Sequence, residues 1–325
     1  MKNYDVTALG ELLIDFTESG ISSQGNPLLE ANPGGAPCNV LAMLSKLGKR
    51  TAFIGKVGAD MFGRQLAETI NEVGICTDGL MTDASVPTTL AFVHTFADGE
   101  REFSFVRNPG ADMMLTKQEV RTDLIRDSKI FHFGTLSSTH AGVREATRFA
   151  IDIAIESGAM LSFDPNLREP LWKNLEDAKT EIEYGVSKCN LLKISDNEVE
   201  FLFGHSDYDR AARELLEKYP QIQLICITLG GNGSCAYTRN TIAKAPVYDV
   251  KPVEKTGAGD TFFGCVLNYV LEHEADNLTK EQLLELLHFA NAGASLITMR
   301  KGALKVMPNR QEIQSLMNAE IVSKA

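Results

Sequence analysis

A glycine-rich loop with an acidic residue stands near the C-terminal end of the chain, in the segment VEKTGAGDTFFG. Gly257 and Gly259 permit backbone conformations and close approaches that other residues do not allow. If a helix begins near Thr261, the N–H groups of residues 257–260 point at one spot and form an anion hole at the positive end of the helix dipole. Taken alone, the loop slightly favours a plain tight turn in which Asp260 caps the helix.

The chemistry available to Asp260 is proton abstraction from a hydroxyl group. Phosphoryl transfer to a hydroxyl has a loose transition state that requires mainly positioning and charge stabilisation. The helix dipole favours the ionised carboxylate by only about 0.3–1 kcal/mol, which is less than one pKa unit. Close approach of the hydroxyl to Asp260 must therefore supply most of the effect.

Three other segments carry polar residues suited to a hydroxyl-rich ligand. In NPGGAPCN, Gly34 and Gly35 permit close backbone approach and the amide of Asn39 can donate and accept, although a glycine loop with a capped helix explains the same residues. Asp15 follows an apolar run and is either at a pocket edge or at a strand end in water. Arg168 in DPNLR presents a fork of donors, or forms a surface salt bridge.

The elements that must position these residues alternate between short β-rich runs and longer helical patterns. Strands are predicted at YDVTAL, TAFIGKVG, KIFHFG, CNLLKIS and LICITLG, and MLSFDPNLR is predicted to be a strand that runs into a loop; helical segments lie between or after these strands. This alternation predicts an α/β fold with a mostly parallel sheet and helices on both faces. The polar and glycine-rich clusters follow strands or precede helices, where open parallel sheets bind their ligands.

One segment breaks the alternation. Residues 88–108 are β-rich on both sides of Asp98-Gly99, a strong hairpin signal. The segment is either an antiparallel edge of the main sheet or a small flap over a pocket. No composition shift marks a linker, so residues 1–325 are predicted to form a single domain.

Composition narrows the function classes. The chain has 325 residues, a net charge of -11 and a sequence pI of about 5.1, a balance that argues against nucleic acid as a partner. No apolar run approaches the roughly 18 residues of a membrane span, and no signal peptide is recognised. Six scattered cysteines without metal-type spacing indicate free thiols, and the predicted location is cytoplasmic.

The chain resembles the PfkB, or ribokinase-like, family of carbohydrate kinases. GGAPCN looks like its N-terminal signature and TGAGDTF like its C-terminal signature, with DPNLR and TLGGNG between them. The resemblance covers essentially the whole chain. It implies a ribokinase-like three-layer α/β/α sandwich with a mostly parallel central sheet and a small β-sheet lid, formed by about residues 12–31 and 88–108.

Within the family the chain looks most like the fructokinases, which implies phosphorylation of the 6-hydroxyl of fructose by ATP. The resemblance makes Asp260 the catalytic base and the neighbouring loop residues an anion hole (Gly257, Ala258, Gly259). It implies that residues of the lid and of the loops next to strands contact the sugar (Asp15, Gly34, Gly35, Asn39, Phe103, Asn108, Arg168). For ATP it implies binding by the loop glycines Gly257 and Gly259 and by a further set of residues (Lys193, Thr228, Gly230, Gly233, Asn291). Lys193 is equally well explained as a solvated lysine, and Asn291 as an amide on a helix surface.

The cofactors implied are ATP and Mg²⁺, with K⁺ as a further hypothesis. The family's acidic magnesium motif matches Asn197 and Glu200 by spacing, but its register relative to the following FLFG favours Glu198. Glu254 and Lys255 stand where the family usually has Asp-Thr, so either the Glu254 carboxylate binds a monovalent cation or the Lys255 ammonium replaces it.

Two alternatives remain at this point. The substrate of the kinase is fructose, or else 2-keto-3-deoxygluconate or another sugar of the same family. The second alternative is a non-catalytic sugar- or nucleotide-binding protein on the same scaffold. A dinucleotide dehydrogenase is disfavoured because GxGxxG does not follow the first strand. An exposed lid edge predicts a homodimer through the lid.

Overall fold

The computed structural model describes residues 2–95, 101–273, 275 and 278–323, without the side chains of residues 95, 101–103 and 320–323. Over these residues the strands alternate with helices, as the sequence predicts. The strands are β1 (Tyr4–Leu9), β2 (Leu13–Ile21), β3 (Pro27–Gly34), β4 (Thr51–Gly58), β5 (Ile75–Asp83), β6 (Leu90–Thr95), β7 (Arg101–Val106), β8 (Ser128–Gly134), β9 (Met160–Asp164), β10 (Leu191–Ser195), β11 (Leu224–Thr228), β12 (Ser234–Tyr237) and β13 (Ile242–Ala245).

Two of the helices begin at residues that favour helix starts. Pro37 lies in the first turn of α1, and Asp60 caps α2 by accepting from the N–H of Gly63. The helices are α1 (Ala36–Lys46), α2 (Met61–Glu72), α3 (Thr122–Arg126), α4 (Ala141–Glu156), α5 (Leu175–Lys188), α6 (Asp196–Phe203), α7 (Tyr208–Lys218), α8 (Ala258–Glu272), α9 (Lys280–Thr298) and α10 (Arg310–Ser323). No helix within the described ranges is both long enough and apolar enough to span a membrane.

A nine-stranded sheet forms the middle layer, in the order β13-β12-β11-β10-β9-β8-β1-β4-β5. Its pairs are parallel except β11/β12 and β12/β13, an antiparallel edge that the sequence analysis did not anticipate. One apolar core lies between this sheet and α1, α8 and α9, and a second lies on the opposite face against α4, α5 and α7. The predicted three-layer α/β/α architecture is therefore confirmed.

A separate four-stranded sheet stands apart from the main one, in the order β3-β2-β6-β7. Strands β6 and β7 are antiparallel, as the hairpin signal predicts, while the Asp98-Gly99 turn lies outside the described residues. The interpretation of this hairpin as an edge of the main sheet is wrong, because β6 pairs with β2 instead. The four strands fall within the ranges 12–31 and 88–108 except for the end of β3, and we call them the small sheet.

Candidate active site

The glycine-rich loop ends on α8, which begins earlier than the sequence predicts. Gly257 has a φ of 75° and precedes the first helical residue, Ala258. Asp260 therefore lies inside the first turn, and the interpretation that it caps the helix is wrong. The N–H groups of a first turn have no partner within the helix, so this turn presents donors beside the Asp260 carboxylate.

Asn39 brings the second glycine loop against Asp260. Its Nδ2 donates to Oδ2 of Asp260 at 2.7 Å, although the two residues are 221 positions apart. Gly35 precedes α1 with a φ of 129°, and a Cβ there would collide with the backbone oxygen of Glu11. Only glycine thus lets α1 begin close to the Glu11 backbone, and this places Asn39, in the first turn, within reach of Asp260.

The surroundings of Asp260 suit a group that accepts a proton. Burial raises its pKa above the ordinary value, and this effect outweighs the hydrogen bond from Asn39 and the charges of Lys193 and Arg168, which lower it. A raised pKa makes a carboxylate a stronger base, and the optimal pKa of a general base lies near the working pH. The site therefore favours proton abstraction by Asp260.

A cavity of about 220 Å³ opens beside Asp260, and we call it the central cavity. It gathers most of the residues that the sequence singles out for a hydroxyl-rich ligand and for the anion hole (Asp15, Gly35, Asn39, Arg168, Gly257, Ala258, Gly259). The small sheet adds Leu13, Val93 and Phe105 to its wall. The sheet thus borders the cavity on which the two glycine loops converge.

Two of the predicted sugar contacts, Gly34 and Asn108, are not among the described residues that line the central cavity. Gly34 lies next to it, where a Cβ would collide with the Asp15 carboxylate. Asn108 is exposed. The side chain of Phe103 lies outside the described residues, while Phe105, two positions along β7, lines the cavity. The roles of these three residues stay predictions.

A second cavity of about 390 Å³ adjoins the first, and we call it the side cavity. Its lining includes Lys193, Glu198, Thr228 and Gly230, which the resemblance associates with the nucleotide or its magnesium ion. Both cavities share four lining residues (Asn166, Arg168, Lys193, Gly259). The predicted sugar and nucleotide residues therefore meet at a common boundary beside the first turn of α8.

Two residues predicted to bind nucleotide, Asn291 and Gly233, make contacts within the protein, and their nucleotide roles stay predictions. Asn291 is buried, so the interpretation as a helix-surface amide is wrong. Its Nδ2 donates to the backbone oxygens of Ala245 and Pro246 at 3.2 and 3.0 Å, and its Oδ1 accepts from Ser234 at 2.8 Å. Gly233 has a φ of 100° and packs on Ala245. Neither lines the side cavity: Asn291 joins α9 to the β12–β13 edge, and Gly233 lies against the backbone at the end of β13.

Lys193 is buried rather than solvated. Its Nζ lies 3.1 and 3.0 Å from the two carboxylate oxygens of Asp164, at the end of the neighbouring strand. Burial lowers the pKa of Lys193, but the carboxylates of Asp164, Glu198 and Asp260 raise it above the ordinary value. The lysine therefore carries a positive charge at the boundary of the two cavities.

Glu198 occupies the third position of α6 in a capping box. Its Oε2 accepts from the N–H of Ser195 at 2.7 Å, and its Oε1 accepts from the N–H of Leu167 at 2.8 Å. Glu200, the alternative by spacing, is exposed and does not line the side cavity. The geometry thus favours the register in which Glu198 is the acidic residue of the motif.

Glu254 ties the glycine-rich loop to a turn near the C-terminal end. One carboxylate oxygen accepts from the hydroxyl of Thr256 at 2.6 Å, and the other accepts from the N–H of Gly302 at 3.0 Å. Lys255 is exposed and lines the central cavity. Of the two residues that depart from the family pattern, Glu254 is therefore hydrogen-bonded within the protein, whereas Lys255 lines the cavity.

The sequence analysis missed two carboxylates of the site. Glu11 is buried in the lining of the central cavity, where its Oε1 accepts from the N–H of Ala36 at 2.8 Å, and burial raises its pKa to about 7. Asp164, the partner of Lys193, opens the DPNLR segment. An acidic residue at the end of an apolar strand signals such a role, because it is costly there without a partner.

Comparisons with known proteins agree with this arrangement. The sequence matches the model of the pfkB family carbohydrate kinases over residues 4–310. It is 41% identical over 319 residues to a probable fructokinase-2 of Arabidopsis thaliana, covering 97% of this chain and 96% of that protein. The structure is similar to a fructokinase with bound ATP from Xylella fastidiosa, with a TM-score of 0.89 at 30% identity over 99% of this chain and 100% of that chain.

A further solved structure carries more ligands. It is a double mutant of the fructokinase from Vibrio cholerae O395 in a form with bound fructose, ADP and potassium ion, and its TM-score is 0.86 at 28% identity, over 98% of this chain and 99% of that chain. Because both the family match and these likenesses extend over nearly the whole chain, the protein belongs to the pfkB family of carbohydrate kinases.

Proposed function

We propose that the protein phosphorylates the 6-hydroxyl of fructose with ATP and releases fructose 6-phosphate and ADP. The observation that carries this proposal is the meeting of the two cavities at the first turn of α8, where Asp260 accepts from Asn39 at 2.7 Å. The fructokinase relatives support the same substrate pair. Fructose occupies the central cavity, and the phosphates of ATP occupy the side cavity.

In the proposed reaction Asp260 takes the proton of the 6-hydroxyl as its oxygen attacks the γ-phosphorus. The bond between the β–γ bridging oxygen and the γ-phosphorus breaks, and its electrons leave with ADP. The N–H groups of Gly257, Ala258 and Gly259, at the start of α8, stabilise the negative charge of the phosphoryl group. The small sheet, as a lid, keeps water from the nucleotide.

Magnesium fits this site as a companion of ATP rather than as a resident ion. Within the described ranges there is no group of three or more His, Cys, Asp or Glu side chains that would hold a metal by itself. Mg²⁺ commonly uses one or two carboxylates together with substrate phosphates. Glu198 in the side cavity is the proposed indirect contact, and when bound the ion neutralises charge on the phosphate oxygens.

The side chains that the small sheet contributes to the central cavity favour a neutral sugar over an acid sugar such as 2-keto-3-deoxygluconate. Arg107 follows β7 but is buried, and its Nε and Nη2 donate to Asp112 at 2.8 and 2.7 Å. Its guanidinium therefore does not face the cavity, whose lining from the small sheet includes the Asp15 carboxylate. Turnover of fructose, 2-keto-3-deoxygluconate and ribose with ATP tests this specificity; absence of turnover on fructose would contradict the proposal.

The variant Asp260→Asn separates a kinase from a non-catalytic binding protein. We expect turnover to fall by about 10²–10⁴-fold, the usual contribution of a general base. Fructose binding, measured by calorimetry, stays within a few-fold because the asparagine has the shape of the aspartate. Unchanged turnover would remove Asp260 from the mechanism.

A potassium ion at Glu254 is a finer part of the proposal. The carboxylate bridges Thr256 and Gly302 beside the anion-hole loop, and its oxygens retain lone pairs for a cation. Activation by potassium chloride, with tetramethylammonium chloride as the ionic-strength control, is the expected result. Equal rates in the two salts would favour the Lys255 ammonium as the positive charge in its place.

A homodimer through the small sheet is the proposed assembly. Strands β3 and β7 are the edges of this sheet, and large apolar side chains are exposed on its strands (Ile21, Leu28, Leu29, Val106). Edges and apolar surface of this kind favour pairing with a second copy. Gel filtration should give twice the mass of the 35.6 kDa chain, and the variant Leu29→Glu should give the monomer; a monomeric parent protein would exclude this assembly.

A further inference from the structure

The buried pair of Lys193 and Asp164 lies where the two cavities meet. Their side chains are 7% and 3% exposed, and the ammonium nitrogen contacts both carboxylate oxygens within 3.1 Å. Lys193 lines the central cavity and the side cavity. A Cβ added to Gly259 would lie 3.2 Å from Nζ of Lys193, so the ammonium is directly against the proposed anion hole.

A purely structural role does not account for this placement. A buried ion pair rarely stabilises a fold more than an apolar pair of the same volume, because removing two charges from water is costly. Here one ammonium interacts electrostatically with three carboxylates, those of Asp164, Glu198 and Asp260. The neighbourhood thus keeps the lysine charged at the border of a cavity suited to phosphates.

We propose that Lys193 is a catalytic residue that contacts the transferred phosphoryl group, and that Asp164 is a positioning residue which acts through Lys193. This inference rests on the proposed function, since it assigns the sugar to the central cavity and the ATP phosphates to the side cavity. The group in transfer then passes across the boundary on which Nζ of Lys193 lies.

The ammonium stabilises charge without giving up its proton. While the new O–P bond forms and the bond to ADP breaks, the hydroxyl proton moves to Asp260 and the electrons of the broken bond leave with ADP. Negative charge stays on the equatorial oxygens of the phosphoryl group throughout. Asp164 holds the ammonium by two contacts, so that the lysine need not reorganise during the transfer.

A double-mutant cycle tests both roles. Lys193→Met should lower kcat by about 10²–10³-fold, as expected for loss of one preorganised charge stabiliser, with the KM for fructose changed less than about threefold because the proposed contact of the ammonium is with the phosphoryl group and not with the sugar. Asp164→Asn should lower kcat by about tenfold in the parent background and by less than about twofold in the Lys193→Met background. Multiplicative losses, or a kcat of Lys193→Met within about threefold of the parent, would overturn the inference.

Two further variants keep the result interpretable. Lys193→Met alone leaves Asp164 buried without its cation and can unfold, whereas the double variant removes both charges and measures the effect of Lys193 if the single variant fails to fold. The matched control is Lys56→Met, because Lys56 is also a buried lysine paired with two carboxylates, Asp83 and Glu119, but does not line either cavity. The folded fraction of the Lys56→Met variant should have the same kcat as the parent protein.

The variant Asp260→Asn tests the proposed function separately, so failure of one proposal is not read as failure of the other.

Discussion

Replacing Asn39 with leucine should shift the pH dependence of the kinase in a defined direction. Asp260 acts as a base only when ionised, so activity is present above its pKa and is lost as the pH falls through it. The bond from Nδ2 of Asn39, 2.7 Å long, favours the ionised form. Without this bond the pKa of Asp260 rises further, and the acid limb of the profile moves to higher pH.

The size of the shift follows from the energy of that hydrogen bond. A hydrogen bond to a charged group contributes roughly 1.5–3 kcal/mol, and one pKa unit corresponds to about 1.36 kcal/mol. We therefore expect the acid limb to move up by about one to two pH units. Lys193 and Arg168 remain in place and lower the pKa of Asp260 in both the parent and the variant, so the shift reflects the lost hydrogen bond.

The measurement is kcat/KM for fructose as a function of pH, which reports ionisations of the free enzyme. Loss of the amide also weakens sugar binding, but this lowers the whole profile and does not move its midpoint. Asn240→Leu, an exposed site on the loop between β12 and β13, is the control for the substitution itself. A profile of Asn39→Leu with its acid limb at the parent position would refute the role of this contact.

Other predictions concern the scaffold of the site. Gly35→Ala should strongly destabilise the protein, because it adds a Cβ at positive φ against a backbone oxygen. Gly158→Ala, at a φ of 65° in open space, should lower the free energy of unfolding by only about 1 kcal/mol. Chemical denaturation of the two variants measures this difference. Arg107→Met should lower the free energy of unfolding by roughly 3–5 kcal/mol, since it leaves the Asp112 carboxylate buried without its cation. Arg121→Met, which breaks an exposed pair, should cost less than about 1 kcal/mol, and equal losses for the two arginine variants would contradict this reasoning.

Much of the fold could be predicted because its signals are local. Alternating strand and helix patterns, Gly158 at the end of α4 and Pro37 in the first turn of α1 act within a few residues of chain. The β12–β13 pair was missed because each strand is only four residues long, too short for a clear pattern. The start of α8 was placed three residues late because its signal is a single residue, Gly257 at positive φ.

The candidate site was predicted less completely, because side-chain partners depend on contacts between distant segments. The sequence indicated Asp260, Asn39 and Arg168, whose glycine-rich or strand-end surroundings are visible along the chain. It did not indicate that Lys193 is buried, nor that Asp164 accompanies it, since these two residues meet only when β9 and β10 pair.

The sequence by itself determined most of the order of strands and helices, the two glycine loops and the chemistry that their residues can carry. The tertiary structure alone decided which charges face the cavities and which are neutralised inside the protein. Arg107 and Arg168 are both arginines at strand ends, yet one is paired with Asp112 in the interior and the other lines both cavities. The physical reason is that burial and charge pairing depend on the three-dimensional surroundings of a side chain, whereas helix starts, turns and strand patterns depend on its neighbours in the chain.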